Sequence, residues 1–215
     1  MDQYLALERD SEVKYEYWNG EVYAMSGGSL AHDQIMGNVD RAIARQLEGR
    51  PCFVCTNNMQ IKVPAAPPYR YADGSVVCGN VEVEEFNGNE LLVNPLVIWE
   101  VLSPSTEAFD RGDKFTYYKS IASFKEYIVI AQHRPHVTHF VRQDNGQWDY
   151  DELNEIKLKN LLGLALPPEM ANEKEVNLVT GAYPGSCGPV GLKIPVYCDH
   201  QFTVRHRHVF RIAEL

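Results

Sequence analysis

Two acidic residues interrupt segments of the chain that are otherwise apolar. Asp73 lies in the segment YRYADGSVVCG, and Glu100 lies in VIWEVL. A carboxylate inside a buried strand needs a cation or hydrogen-bond donors, because burying an unpaired charge is costly. If the two strands are neighbours, both carboxylates can reach one divalent cation, and the carbonyl oxygen of Val101 adds a further hard ligand. The sequence therefore predicts a Mg²⁺ or Mn²⁺ site at Asp73, Glu100 and Val101.

A site of this kind suits the hydrolysis of a phosphodiester bond. The cation activates a water molecule, and a lysine stabilises the charge that develops on the phosphoryl group. A lysine two residues after the second acid would fill that role, but position 102 is Leu102. We expect Lys114, in the helical segment that follows, to replace it. These residue types predict a metal-dependent nuclease.

Each of these residues also has a simpler interpretation. Asp73 precedes Gly74, and an Asp-Gly pair is a common turn signal. Glu100 could be a buried acid that is satisfied by hydrogen bonds. Lys114 follows Asp110 by four residues, which is the spacing of an ordinary ion pair on a helix surface. Under these interpretations the protein is a catalytically inactive module that binds nucleic acid or a protein partner, or a purely structural one.

Two segments that contain histidine are weaker candidates. His32 shares a helical stripe with Ile35 and Val39, which favours packing over general-base catalysis, although it remains a neighbour of the candidate site. The segment RHRH, residues 205–208, could bind phosphate or a metal. A solvated strand near the end of the chain is the better interpretation of that segment.

The pattern of apolar residues predicts the elements that must position these side chains. Two segments rich in Tyr and Val, 14–18 and 21–25, flank an Asn-Gly turn signal and predict an N-terminal β-hairpin. Apolar residues at helical spacing predict a helix over residues 29–47, with Ser29 as its N-cap. A second helix is expected in residues 110–122.

Segments rich in β-branched and aromatic residues predict six strands: 52–56, 59–63, 71–78, 95–102, 126–131 and 137–142. We interpret the first three as one antiparallel run. Alternation in the fourth strand places Ile98, Glu100 and Leu102 on one face and the intervening residues on the other. A helix between groups of strands indicates an α/β fold with a mixed sheet rather than a regular βαβ repeat.

Length and composition restrict the class of protein. At 215 residues, we expect one domain over residues 1–170 and an atypical tail over residues 171–215. The longest apolar stretch is too short to cross a bilayer and the N-terminus lacks an export signal, so a cytoplasmic protein is expected. Five cysteines then favour free thiols. The net charge of −9 argues against broad electrostatic attraction to nucleic acid, although cations held by carboxylates can reverse the local charge.

Four segments resemble one protein family and occur in the right order: YEYWNGEVYAMSGGSLAHDQIMGNV, YRYADGSVVCG, NPLVIWEVLSPSTEAFDRGDKFTYYKSIASFKEYIVI and LKNLLGLALP. Over about residues 1–168 the chain resembles the Uma family of restriction endonucleases, a prokaryotic group of the PD-(D/E)XK superfamily. The tail after Met170 does not resemble the usual ending of that family.

The resemblance implies a restriction-endonuclease-like core, in which a central mixed β-sheet is flanked by helices. It places the Pro-Asp motif of the family at Asp73, with alanine in place of the proline, and the second acid at Glu100. It places the displaced lysine at Lys114 and an N-terminal acid at Glu21, with Glu16 as a second candidate. The activity that it implies is Mg²⁺-dependent cleavage of DNA. By analogy with enzymes that cut both strands, a homodimer is also expected.

Overall fold

The structure is a computed structural model that describes residues 2–11, 13–18, 20–25, 27–166 and 172–180. Its helices are α1 (Asp2–Asp10), α2 (Leu30–Gln46), α3 (Glu107–Phe109), α4 (Phe115–Tyr118), α5 (Glu155–Leu162) and α6 (Glu173–Thr180), with a π-helix (Asp110–Lys114) between α3 and α4. Its strands are β1 (Tyr15–Trp18), β2 (Glu21–Ala24), β3 (Cys52–Thr56), β4 (Gln60–Ile61), β5 (Arg70–Tyr71), β6 (Gly74–Cys78), β7 (Val83–Phe86), β8 (Asn89–Leu92), β9 (Val97–Leu102), β10 (Glu126–Ala131), β11 (Val137–Arg142) and β12 (Trp148–Leu153).

A six-stranded mixed sheet forms the centre of the fold, with the strand order β12-β11-β10-β9-β6-β3. β9 and β10 are parallel, and the other neighbouring pairs are antiparallel. Every residue of β9 is buried. The predicted α/β fold with a central mixed sheet and flanking helices is therefore confirmed.

The two faces of β9 pack against different helices, as the alternation predicts. Ile98 and Leu102 belong to the apolar cluster that contains Phe115 of α4. Val97 and Trp99 belong to a second cluster, which contains residues of α2. Burial of both faces explains why β9 is almost continuously apolar and why Glu100 stands out in it.

Smaller sheets complete the fold. β1 and β2 form the predicted N-terminal hairpin. A four-stranded sheet has the order β5-β4-β8-β7. Two elements, α1 and the hairpin formed by β7 and β8, were not predicted from the apolar pattern. Residues 83–92 contain three glutamates, although Asn87-Gly88 at their centre is the same hairpin signal as the Asn-Gly pair of the N-terminal hairpin. Within the described part of the chain, no helix is both long and apolar enough to cross a membrane.

Two predicted elements are corrected by the structure. The segment 71–78 is not one strand, because β5 ends at Tyr71 in the four-stranded sheet and β6 starts at Gly74 in the central sheet. The indole of Trp99 packs against Gly74, where any Cβ would collide with the ring, so the chain needs glycine at the point where it enters the central sheet. The expected helix over residues 110–122 is divided, since its first turn is a π-helix and α4 ends at Tyr118.

The prediction that all cysteines are free thiols is wrong for two of them. Cys52 and Cys78 face each other across β3 and β6 and form a disulfide. The two cysteines pair because of the register of β3 and β6, which cannot be inferred from the number of cysteines. Cys55 is a free thiol, as predicted, and Cys187 and Cys198 lie outside the described residues.

Candidate active site

Asp73 lies in the two-residue gap between β5 and β6, beside the C-terminal half of β9. Its Oδ2 accepts a hydrogen bond of 2.6 Å from the backbone N–H of Val101. The N–H and C=O of a strand residue point to the same side of the strand, so the Val101 carbonyl faces the side on which Asp73 lies. Asp73 and Val101, two of the three residues predicted as oxygen ligands, are therefore in direct contact.

Glu100 is buried on the neighbouring position of β9, with 3% of its surface exposed. Its Oε1 accepts a hydrogen bond of 2.9 Å from the Tyr118 hydroxyl and lies 2.8 Å from Nζ of Lys114. Burial raises the pKa of Glu100 well above its usual value. Lys114 offsets this in part, whereas the charges of Asp110 and Asp73 add to it.

The π-helix places both Asp110 and Lys114 inside the protein, with 4% and 6% of their surfaces exposed. Nζ of Lys114 lies 3.5 Å from Oδ1 of Asp110, in addition to its contact with Glu100. Burial lowers the pKa of Lys114, but the charges of Glu100, Glu16 and Asp110 outweigh it and raise the pKa well above the usual value. Lys114 is therefore a buried cation rather than one half of a surface ion pair.

The charged groups Asp73, Glu100, Asp110 and Lys114, together called the cluster, include three carboxylates and one lysine. Burial raises the pKa of Asp110, and the charge of Asp73 raises it further, although Lys114 counteracts both. A divalent cation would relieve this excess of negative charge, and carboxylate oxygens are the ligands that Mg²⁺ prefers. Among the described residues, no group of three or more acidic, His or Cys side chains forms a ready-made metal cage. Mg²⁺ is commonly bound by one or two carboxylates together with water and substrate phosphates, so Asp73 and Glu100 fit it.

The two acids of the N-terminal hairpin lie in different surroundings. Glu21 is exposed and accepts a hydrogen bond of 2.7 Å from the Tyr23 hydroxyl, and no contact joins it to the cluster in the described part of the chain. Glu16 accepts a hydrogen bond of 3.2 Å from the backbone of Tyr71. Burial has the largest effect on the pKa of both Lys114 and Asp110. Among the charges, Glu16 follows Glu100 in raising the pKa of Lys114, and it follows Asp73 in raising the pKa of Asp110. Of the two acids expected from the sequence, Glu16 is therefore the one whose charge acts on the cluster.

Sequence reasoning missed three residues of this region. Asp110 and Tyr118 contact the Lys114–Glu100 pair from the π-helix and α4. Their signal was the recurrence of polar groups every four residues through positions 110, 114 and 118. The third residue is Asp40, which lies two turns after His32 on α2. This spacing places Asp40 and His32 on the same face of the helix.

Asp40 gives a pH-dependent prediction. Burial, and then the charge of Asp73, raise the pKa of Asp40 to about 6, and its Oδ1 has no hydrogen-bond partner among the described residues. The folded state binds this proton more tightly than the unfolded chain, so Asp40 favours folding at low pH and that contribution is lost as the pH rises through about 6. Asp40→Asn is expected to raise the free energy of unfolding by about 1 kcal/mol at pH 7.5, after allowance for solvent screening, and hardly at all near pH 4.

Urea unfolding at both pH values measures this effect, with the exposed Asp113→Asn as the matched control. An equal stabilisation by Asp40→Asn at both pH values would mean that the ionised carboxylate is not its cause.

Comparison with known proteins identifies the family to which the chain is similar. Residues 1–170 match the model of a family named Uma2, described as "Putative restriction endonuclease". An uncharacterized protein of Synechocystis sp. is 29% identical over 163 residues, which cover 74% of this chain and 84% of that protein. A second one from the same organism is 28% identical over 151 residues, which cover 70% and 85%.

A solved structure supports the fold. The crystal structure of a protein from Anabaena variabilis, described as a putative nuclease belonging to DUF820, is similar with a TM-score of 0.54 and 16% sequence identity. The similarity covers 67% of this chain and 79% of that chain. At this level of identity the likeness shows the fold alone, and it agrees with the restriction-endonuclease-like core expected from the sequence.

The C-terminal part has a different similarity. A second family model, described as an aminoacyl-tRNA editing domain, matches residues 149–213. The proline–tRNA ligase of Geobacter sulfurreducens is 40% identical over 105 residues, which make up 49% of this chain but only 17% of the ligase. The editing-domain match begins within β12 of the central sheet, and much of it, with the segment 205–208, lies outside the described residues.

Proposed function

The chain belongs to the Uma2 family, described as "Putative restriction endonuclease", and from this premise we propose that it is a metal-dependent endonuclease that hydrolyses the phosphodiester bonds of DNA. The observation that carries the proposal is the buried Lys114–Glu100 pair beside Asp73, which is itself anchored to β9. Well-packed apolar residues of similar volume would stabilise the fold as well as a buried ion pair does, so stability alone does not explain why Lys114 lies among these carboxylates. A buried lysine has a clear use where negative charge develops during a reaction.

In this proposal each residue has a separate role. Asp73 and Glu100 hold Mg²⁺ or Mn²⁺, with the Val101 carbonyl as a further ligand. The bound cation supplies Lewis-acid polarisation of the phosphate and a water molecule of lowered pKa. Lys114 stabilises the negative charge of the phosphoryl group, and Asp110 keeps that lysine protonated and in place.

Two further assignments complete the proposal. Glu16 is better supported than Glu21 as the assisting acid, because its charge acts on Lys114 and Asp110. Because the net charge of the chain is −9, DNA binding is expected to depend on the cation, which brings positive charge to the site where the phosphate would bind. A cytoplasmic location and a homodimer that cuts both strands suit this function.

The proposal is tested with plasmid and single-stranded DNA in the presence of Mg²⁺, Mn²⁺ or EDTA. Wild-type protein is expected to cut with either metal and not with EDTA. Asp73→Ala should abolish cutting, whereas Asp113→Ala, which removes an exposed acid of the same region, should leave it intact. Cutting that survives Asp73→Ala would point to a contaminating nuclease. If the wild-type protein binds DNA but does not cut it, the result would favour the catalytically inactive binding module.

A second candidate function rests on the C-terminal match to an aminoacyl-tRNA editing domain, over residues 149–213. That part of the chain would then bind tRNA or release an amino acid from aminoacyl-tRNA. Incubating the same preparations with aminoacylated tRNA tests it. Release of the amino acid that survives Asp73→Ala would support a second, separate activity, and the absence of both release and tRNA binding would exclude it.

A further inference from the structure

We propose that His32 is a positioning residue of the candidate site, which fixes the carboxylate of Asp73 against the C-terminal half of β9. Its catalytic meaning rests on the proposed nuclease function. The positioning itself concerns only groups of this chain. It can therefore be tested whether or not the protein cleaves DNA.

His32 is itself held in place by the start of α2. Oγ of the N-cap residue Ser29 accepts a hydrogen bond of 3.2 Å from the backbone N–H of His32. The same hydroxyl lies 3.2 Å from Oε1 of Gln132, the residue that follows β10, so the start of α2 is tied to the end of a central strand. A Cβ at Gly28 would lie 3.1 Å from Nδ1 of the imidazole. A glycine at this position leaves room for the ring.

The imidazole closes a triangle of contacts with Asp73 and Val101. Its Nε2 lies 3.2 Å from Oδ2 of Asp73, the same oxygen that accepts the 2.6 Å hydrogen bond from the Val101 N–H. The hydrogen bond with Asp73, and to a smaller extent the backbone of Val101, raise the pKa of His32. These contacts connect three elements of the fold. His32 comes from α2, Asp73 from the gap between β5 and β6, and Val101 from β9.

The contacts with His32 and Val101 fix an orientation of Asp73 that its own backbone does not fix. Asp73 lies outside both flanking strands, so no ladder of backbone hydrogen bonds fixes it, and its side chain is 17% exposed. In the described part of the chain, the hydrogen bond from Val101 and the contact with His32 both fall on Oδ2 of this carboxylate, so a cation would bind through Oδ1 without displacing them. Groups that orient a metal ligand in this way are worth about 10- to 100-fold in metal affinity or activity.

The test compares His32→Leu with His32→Gln, which keeps an N–H donor near the position of Nε2. The first readout is hydrogen exchange of the Val101 amide, relative to the Trp99 amide in the β6–β9 ladder. The second is calorimetric binding of Mn²⁺ without DNA. His32→Leu is expected to speed exchange at Val101 by about 10-fold and to weaken Mn²⁺ binding by about 10-fold or more. His32→Gln is expected to retain most of both.

His136→Leu is the matched control, since His136 is a half-buried histidine that pairs with Glu152 instead. Unchanged exchange at Val101 in His32→Leu would overturn the proposal, and so would equal effects of His32→Leu and His136→Leu. If the wild type binds no Mn²⁺, the nuclease function fails, while the exchange data still decide whether His32 positions Asp73.

Discussion

Replacing Glu100 by glutamine is expected to lower metal-dependent DNA cleavage by about 10³-fold while the protein stays folded. The amide oxygen of glutamine can still accept hydrogen bonds from Tyr118 and Lys114, which contact Oε1 of the carboxylate in the wild type. The loss is therefore confined to the negative charge that a divalent cation requires. Asp73 alone would then hold the cation, with an uncharged neighbour.

The measurement is a single-turnover cleavage rate at saturating Mn²⁺, with thermal unfolding of the same samples. Glu85→Gln, an exposed acid on β7, is the matched control and should cut at the wild-type rate. A Glu100→Gln variant that is folded and cuts within about 10-fold of the wild type would remove Glu100 from the metal site.

The pH dependence of stability gives a second readout of Glu100. The pKa of Glu100 is raised in the folded state, so its protonated form favours folding at low pH, and this contribution is lost as the pH rises through the folded pKa. Glutamine at this position does not titrate. The stability of Glu100→Gln relative to the wild type is therefore expected to increase with pH, which urea unfolding at a series of pH values measures.

The parts of the fold that could be predicted from sequence are those governed by local patterns. The helix α2 with its Ser29 N-cap, the strands β3, β10 and β11, and the two faces of β9 follow from apolar periodicity and capping chemistry. Asp73 and Glu100 could be singled out for the same reason. A charge in an apolar strand conflicts with its surroundings, and such conflicts are typical of functional sites.

The parts that could not be predicted depend on contacts between distant segments. The need for glycine at position 74 is set by the indole of Trp99, which lies 25 positions later in the sequence. Glu16 and Glu21 lie on the same face of the hairpin, because Glu21 pairs with Trp18 and Trp18 follows Glu16 by two residues. Alternation therefore cannot distinguish them, and the choice depends on which strand of the hairpin packs nearer to the π-helix. The burial of Asp110 depends on the π-helix, since a regular helix over the same residues would give a different spacing of side chains.

Replacing Lys114 by methionine is expected to lower the free energy of unfolding by about 3–5 kcal/mol at neutral pH and the cleavage rate by about 10²- to 10³-fold. Methionine fills much of the volume of the lysine side chain but leaves Glu100 and Asp110 buried without their cation. The same change removes the positive charge that we assign to stabilising the phosphoryl group. Stability and activity should therefore fall together, for one electrostatic reason.

The control is Lys119→Met, which removes an exposed lysine that lies over the ring of Phe115 and should change stability by less than about 1 kcal/mol. Lowering the pH should reduce the deficit of Lys114→Met, because the uncompensated carboxylates then take up protons in the folded state, and their cost of burial as charged groups disappears. Urea unfolding at neutral and acidic pH measures that difference. A deficit that is independent of pH would mean that Lys114 stabilises the fold through packing rather than charge, and a Lys114→Met variant with normal cleavage would assign the phosphoryl-stabilising role to another residue.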